Sequence, residues 1–204
     1  MVDRLLVVEG PDDKHVFLAI LNRHQFEPPF EIRDEGGFER LLARLSVHLK
    51  PGTDLERIGI VVDADANVKI RWQSLRETLN RAGYASAPDE PDPAGSIVDH
   101  EFLPRVGVWI MPNNTLPGML EDYLRLLVPA GDLLFERASR CVGDIPAEER
   151  RFAEQHSMKA LIHTWLAWQE DPGTPLGLAI TKSYFESDGP HVKAVLAWLS
   201  RLFA

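Results

Sequence analysis

The stretch Leu5–Asp13, with the sequence LLVVEGPDD, decides the fold predicted for this chain. Residues Arg4–Val8 are short, continuously apolar and rich in Leu and Val, which is typical of a strand buried on both faces. Gly10 predicts a turn, and Pro11 suits the first position of a helix. The stretch therefore predicts a buried strand that ends in a carboxylate, Glu9, and leads directly into a helix.

A second stretch, Ile58–Asp65 (IGIVVDAD), repeats this pattern of carboxylates at the end of an apolar strand. Ligands of open parallel sheets bind beyond the carboxyl ends of the strands, and the first and third strands commonly lie side by side there. Glu9, Asp63 and Asp65 are therefore expected at one edge of the sheet. Because unpaired carboxylates repel one another, a hard divalent cation such as Mg²⁺ is expected among them. If the backbone stays extended, both aspartates point to the same side.

Strands alternate with helices along the first half of the chain. This alternation predicts an α/β fold with a mostly parallel sheet flanked by helices, forming a core over residues 1–128. Residues 129–204 are predicted to form a mainly helical extension packed on that core. Its predicted elements are helices over 132–141, 146–169 and 191–203, and a short edge strand or irregular segment over 176–180.

The composition of the 204 residues narrows the classes of function. The net charge of −9 argues against a sequence-independent nucleic-acid coat, which needs clustered Lys and Arg. It is compatible with an acidic site that acts on phosphates through a bound cation. The single cysteine, Cys141, excludes an intrachain disulfide and a Cys-rich zinc site. Without a signal-like start or an apolar run near ~20 residues, a cytoplasmic protein with no membrane contact is expected.

The two acidic stretches resemble the toprim signature, which has a glutamate after the first strand and Asp-x-Asp after the third. The matching residues are VEGPDD at 8–13 and VDAD at 62–65. Toprim domains occur in topoisomerases, DnaG-type primases, small ribosomal-RNA-maturing ribonucleases and overcoming-lysogenization-defect nucleases. Residues 109–114, 118–122 and 159–177 also resemble a bacterial family of stand-alone toprim-like proteins without assigned function.

The resemblance implies a toprim-like, Rossmann-like fold and a Mg²⁺-dependent phosphoryl-transfer site, with Mn²⁺ as an alternative ion. Glu9 would match the motif glutamate, a general acid/base or a metal ligand depending on the branch. Asp63 and Asp65 would match the metal-binding pair. Asp13 stands four positions after the glutamate, where the nuclease branch has another metal ligand. The likeness thus predicts a catalytic set of Glu9, Asp63 and Asp65.

The nuclease branch fits best by elimination, with nucleic acid as the substrate. The chain is too short for a separate domain with a strand-cleaving tyrosine, and one cysteine cannot build the zinc domain of a primase. Overcoming-lysogenization-defect nucleases also have an ATPase domain. No Gly-x-x-x-x-Gly-Lys-Ser/Thr motif is present, so an ATPase would be a separate partner protein.

The sequence is compatible with two interpretations for several residues. Asp13 suits either a metal or the positive end of the helix dipole. Glu121, in the first turn of a predicted helix, suits either the acidic site or the helix start. Lys14 and Lys182 are candidate phosphate contacts or ordinary exposed lysines, and Gly10 is a candidate source of backbone donors to phosphate.

Two other functions stay open beside the nuclease. A receiver-like phosphate-switch module also places acids after strands one and three, although the glutamate and the Asp-x-Asp favour the toprim pattern. A non-catalytic or partner-dependent subunit is compatible with the acidic composition and with the lack of an evident basic groove.

Overall fold

A five-stranded sheet organises the protein, as seen in a computed structural model that describes residues 3–26 and 30–204. Its strands are β1 (Arg4–Val8), β2 (Glu31–Asp34), β3 (Arg57–Asp63), β4 (Ser96–Val98) and β5 (Arg105–Met111). The order across the sheet is β2-β1-β3-β5-β4. All neighbours are parallel except β4, which runs antiparallel to β5 at one edge. The predicted mostly parallel α/β fold, with β1 beside β3, is confirmed.

Helices cover both faces of this sheet. They are α1 (Pro11–Arg23), α2 (Phe38–His48), α3 (Val68–Arg81), α4 (Leu120–Arg125), α5 (Leu133–Gly143), α6 (Ser157–Leu166), α7 (Leu176–Thr181) and α8 (Pro190–Phe203). In the described part of the chain, no helix combines the length and apolarity needed to cross a membrane.

The strands β1, β3 and β5 are apolar along most of their length because each of their faces meets a different hydrophobic cluster. Leu5 and Val7 of β1 belong to the cluster shared with α2 and α3. Leu6 and Val8 belong to the cluster shared with α1 and with α4 to α8. Because successive side chains of a strand point to opposite faces, a continuous apolar run is required here. The division into a core of 1–128 and an extension of 129–204 remains a prediction, since both segments contribute to this second cluster.

Two glycines in neighbouring strands make room for the packing of α8. Gly59 of β3 and Gly107 of β5 are paired in register. A Cβ atom on Gly107 would lie 2.5 Å from a methyl carbon of Leu202, and one on Gly59 would lie 3.1 Å from the same atom. Leu202 is fully buried, so it fills the hollow that the two glycines leave.

The helix predicted over residues 146–169 is wrong in its first half. The chain forms a turn after Pro146, a 3₁₀ turn at Glu154–His156 and only then α6. Residues 147–155 (AEERRFAEQ) are mostly polar and lack an apolar stripe. A short helix gains most of its stability from burying such a stripe, so the helix begins where the apolar residues begin.

The edge strand or irregular segment predicted over residues 176–180 is also wrong, because these residues form α7. A run of five mostly apolar residues is too short for its periodicity to distinguish a strand from a buried helix. Gly177 explains the tight packing of α7 against α1. A Cβ atom there would lie 2.6 Å from the carbonyl oxygen of His15.

The hollow between the strands gives a prediction about stability. We expect Gly107→Val to lower the free energy of unfolding by about 1–3 kcal/mol, the usual cost of adding volume to a filled core. Gly143→Ala is the control, because its Cβ atom meets nothing within 4 Å. It should change stability by less than about 1 kcal/mol. Urea unfolding followed by fluorescence measures both, and equal stability of Gly107→Val and wild type would contradict the packing described.

Candidate functional site

An acidic cleft of about 330 Å³ opens at the carboxyl ends of β1 and β3. The carboxyl side chains that line it come from the end of β1, the start of α1, the end of β3 and the start of α4. They are Glu9, Asp12, Asp13, Asp63 and Glu121. Lys159 of α6 also lines the cleft. The structure therefore brings together most of the acids singled out in the sequence.

Glu9 is tied to the end of the neighbouring strand by its side chain. The register pairs Val8 with Val61, which brings the residues that follow close together. The Asp63 backbone N–H donates to Glu9 Oε1 at 2.8 Å. Burial raises the pKa of Glu9, while this hydrogen bond acts in the opposite direction. The carboxylate of Glu9, which follows β1, is thus hydrogen-bonded to the backbone at the end of β3.

Asp13 serves the start of α1 and also faces the cleft. Its Oδ2 accepts a hydrogen bond from the N–H of the N-cap residue Gly10 at 3.0 Å, which is the role of the third helical residue in a capping box. Its side chain is buried, and burial together with the charges of Glu9 and Glu121 raises the pKa of Asp13 to about 7. Capping of α1 by Asp13 is compatible with the proposed second role of this carboxylate in metal binding. The Gly10 N–H, a candidate donor to phosphate, is already engaged by Asp13.

Asp63 has the least compensated carboxylate of the site. Its Oδ1 is buried and has no hydrogen-bond partner. Burial raises the pKa of Asp63 well above its usual range, and the charges of Asp13 and Glu9 raise it further. A buried carboxylate without a partner is costly unless a proton or a cation neutralises it.

Glu121 and Asp122 have separate roles at the start of α4. Asp122 accepts a hydrogen bond from the Met119 N–H at 2.8 Å and so caps the helix. Glu121 is buried in the cleft, where its Oε1 lies 2.9 Å from Lys159 Nζ. The interpretation of Glu121 as part of the acidic cluster therefore agrees with its position.

Sequence reasoning missed Lys159 as a site residue. A weak signal was present, because this lysine stands in an apolar helix with no acidic residue three or four positions away. A lysine without a local partner on such a helix has its partner, if any, elsewhere in the fold. Glu121 is that partner.

Asp65 departs from the extended geometry expected for Asp-x-Asp. Its φ angle is +50°, and its backbone N–H and C=O both pair with Gly118. β3 ends at Asp63, so the expectation that both aspartates leave an extended backbone on one side is wrong. The Asp65 carboxylate pairs with Arg71 of α3 and is not among the groups that line the cleft.

The two lysines predicted as phosphate contacts lie outside the lining of the cleft. Lys14 is half-buried in the first turn of α1, and Lys182 follows α7 and pairs with Asp171. The structure does not bring Lys182 together with the acids of the cleft. Its ammonium group pairs with Asp171 instead.

The donor chemistry of the cleft suits a hard divalent cation, but its side chains are not yet arranged around one. The groups are carboxylate oxygens, and one of them, Asp63 Oδ1, is buried without a partner. Across residues 3–26 and 30–204, no three His, Cys, Asp or Glu side chains are grouped so that they could hold a metal ion. Glu121 and Asp65 are turned instead to Lys159 and Arg71. Metal binding here therefore requires some of these side chains to rotate.

Comparison with known proteins gives the class of fold and then the family. The chain is similar to the C-terminal region of the OLD protein of Xanthomonas campestris pv. campestris, with a TM-score of 0.52 and 15% sequence identity. The similarity covers 98% of this chain and 96% of that chain, and at this identity it shows the fold alone. Residues 3–204 match the family described as "Protein of unknown function (DUF3226)", and the chain belongs to that family. Comparison with curated proteins gave no match.

The raised pKa of Asp13 predicts how stability depends on pH when metal is removed with EDTA. The unfolded chain releases this proton near the ordinary pKa of 3.8, and the folded protein releases it near 7. The contribution of Asp13 to stability is therefore present below about pH 4 and is lost as the pH rises through about 7. We expect Asp13→Asn, which stays neutral and can still cap α1, to be more stable than wild type at pH 8 by roughly 1–3 kcal/mol.

This advantage should shrink toward zero at pH 4, as measured by urea unfolding at both pH values. Asp12→Asn is the matched control, because Asp12 is the exposed neighbour in the same helical turn. Its effect should stay within about 0.5 kcal/mol at either pH. An Asp13→Asn variant that is less stable than wild type at pH 8 would contradict the electrostatic description of the cleft.

Proposed function

We propose that this protein is a Mg²⁺-dependent phosphoryl-transfer enzyme of the nuclease type, acting on nucleic-acid phosphodiesters at the acidic cleft. The observation that carries the proposal is the Asp63 carboxylate, which is buried with one oxygen unpaired beside Glu9 and Asp13. The pKa values of Glu9, Asp13 and Asp63 are all raised, and groups with perturbed pKa values cluster at functional sites, which supports the proposal. Mn²⁺ is the alternative ion.

The similarity of fold supports the same proposal. The acids after β1 and β3 have the order and strand context of the toprim pattern, and their assignment to a toprim domain is part of the proposal. The structural neighbour is the C-terminal region of an OLD protein. Overcoming-lysogenization-defect nucleases are among the proteins that the acidic stretches resemble, so the sequence pattern and the fold point in one direction.

Each acid has a distinct proposed role. Glu9 is held by the Asp63 N–H and is proposed as a general acid/base or a metal ligand. Asp63, Asp13 and Glu121 would hold the ion, and Asp65 would join them from the rim of the cleft. When bound, the metal supplies activation of water and neutralises charge on the phosphodiester. Lys159 would leave Glu121 and place its ammonium group against a phosphate oxygen.

A partner-dependent, non-catalytic subunit is the second candidate. The observation that favours it is that Glu121 and Asp65 are neutralised by cations of the protein itself. The net charge of −9 is also unfavourable for direct binding of nucleic acid. In this second candidate function, a partner protein such as a separate ATPase would bind the nucleic acid. The receiver-like alternative is disfavoured, because the sheet ends in an antiparallel strand, whereas receivers have the parallel order 2-1-3-4-5.

We expect Asp63→Asn and Glu9→Gln to weaken Mn²⁺ binding by roughly 100-fold or more and to abolish cleavage of DNA and RNA. The reason is that outer-shell changes alone cost about 10–100-fold in metal affinity. Binding is measured by calorimetry, and cleavage by assays with Mg²⁺ or Mn²⁺ on single-stranded and duplex substrates. Asp188→Asn, an exposed aspartate after α7, is the matched control and should behave as wild type.

Three outcomes separate the candidates. Metal binding that Asp63→Asn removes, together with cleavage by wild type, supports the enzyme. Metal binding without cleavage of any substrate favours the partner-dependent subunit. Failure of wild type to bind Mg²⁺ or Mn²⁺ would overturn the metal-dependent function.

Lys159 provides a test that separates substrate handling from metal binding. We expect Lys159→Met to bind Mn²⁺ at least as tightly as wild type, because it frees Glu121 and removes a positive charge from the cleft. The same variant should lower kcat by about 10²–10³, which is the usual effect of losing one preorganised electrostatic contact to the transition state. Unchanged kcat in Lys159→Met would show that this ammonium group has no role in the reaction.

A further inference from the structure

Arg71 is much less exposed than Lys159, the other cation paired with an acid that was predicted for the site. Its side chain is 11% exposed and pairs with Asp65 Oδ2. Its guanidinium carbon lies 3.7 Å from the centre of the Phe38 ring, at the start of α2. Stacking on an aromatic ring holds a guanidinium group in place while leaving its N–H donors free for a carboxylate. Arg71 is therefore fixed on one side by Phe38 and directed at Asp65 on the other.

The backbone of Asp65 is fixed as firmly as the arginine. The Asp65 N–H donates to the Gly118 carbonyl at 3.0 Å, and the Gly118 N–H donates to the Asp65 carbonyl at 2.8 Å. Gly118 has a φ angle of +134°, and a Cβ atom there would lie 2.6 Å from the Asp122 side chain. With this backbone held, rotation of its own side chain is the way for the Asp65 carboxylate to move.

Arg71 also acts on the cleft itself. Burial is the largest influence on the pKa of Glu9 and raises it, and the charge of Arg71 lowers the same pKa. The guanidinium group therefore lies within electrostatic reach of the cleft, although it does not line it. A cation bound among the carboxylates would be repelled by Arg71 and attracted by Asp65.

We propose that Arg71 is a positioning residue that holds Asp65 at the rim of the cleft and competes with the divalent cation for this carboxylate. The inference rests on the proposed metal-dependent function. Asp65 pairs with Arg71 in this structure and would rotate toward the cleft to reach a bound ion. The pair would thus stabilise the crowded acids and lower the affinity of the site for metal.

The test measures Mn²⁺ binding by electron paramagnetic resonance and calorimetry on the full chain. We expect Arg71→Met to bind Mn²⁺ about tenfold more tightly than wild type, which is the effect of removing one partly screened charge near a divalent ion. Lys69→Met is the matched control. It removes one positive charge from the same helix, but its side chain is 70% exposed and pairs with Glu90. Its affinity should stay within about twofold of wild type.

Phe38→Leu tests the same idea with the charge retained. Without the ring, Arg71 is held less firmly, so Mn²⁺ affinity should rise by about two- to threefold. If Arg71→Met does not fold, the Mn²⁺ affinity of Phe38→Leu tests the competition between Arg71 and the cation. Affinity that is unchanged or weaker in Arg71→Met, or in Phe38→Leu when the first does not fold, would overturn the competition.

Failure of the inference is distinguishable from failure of the proposed function. If wild type binds Mn²⁺ and Asp63→Asn does not, the metal site stands whatever Arg71 does. If wild type binds no Mn²⁺, the proposed function and the role of Arg71 are both overturned.

Discussion

The hydrogen bond from the Asp63 N–H to the Glu9 carboxylate is the interaction on which the acidic cleft depends. It joins the ends of two parallel strands, and it places a carboxylate where the backbone of the next strand can hold it. The neighbouring acids then crowd into one small volume, where burial and mutual repulsion raise the pKa values of Glu9, Asp13 and Asp63. Within this fold, the sheet supplies the rigidity that holds these like charges close together.

The protein limits this repulsion with positive charges supplied by helices. Lys159 of α6 neutralises Glu121 of α4, and Arg71 of α3 neutralises Asp65. Glu9, Asp13 and Asp63 rely instead on backbone N–H groups or remain partly unpaired. Among the residues that the structure describes, two acids therefore have an ion-pair partner, and these three carboxylates have none. The proposed metal would bind where this compensation is weakest.

The sequence predicted the parts of the site that depend on strand ends. Buried strands have a continuous apolar pattern, and parallel topology brings their carboxyl ends to one edge, so the meeting of Glu9 with Asp63 could be foreseen. The cations could not be foreseen in the same way. The partner of Lys159 lies 38 positions away, so only the tertiary fold brings that pair together. Arg71 pairs with Asp65, 6 positions earlier, across the turn between β3 and α3. The left-handed turn at Asp65 was missed because Gly118, which pairs with it, belongs to another segment. The sequence around α7 was ambiguous because its apolar run is short.

The paired glycines of β3 and β5 constrain how this chain can change in evolution. Gly59, Gly107 and Leu202 occupy a single volume, although they belong to three elements that are far apart in the chain. A side chain at position 107 can become established only after, or together with, a smaller residue at position 202, and one at position 59 also needs room beside Leu6. The three positions are therefore coupled, and a smaller residue at 202 is the exchange that must come first or at the same time.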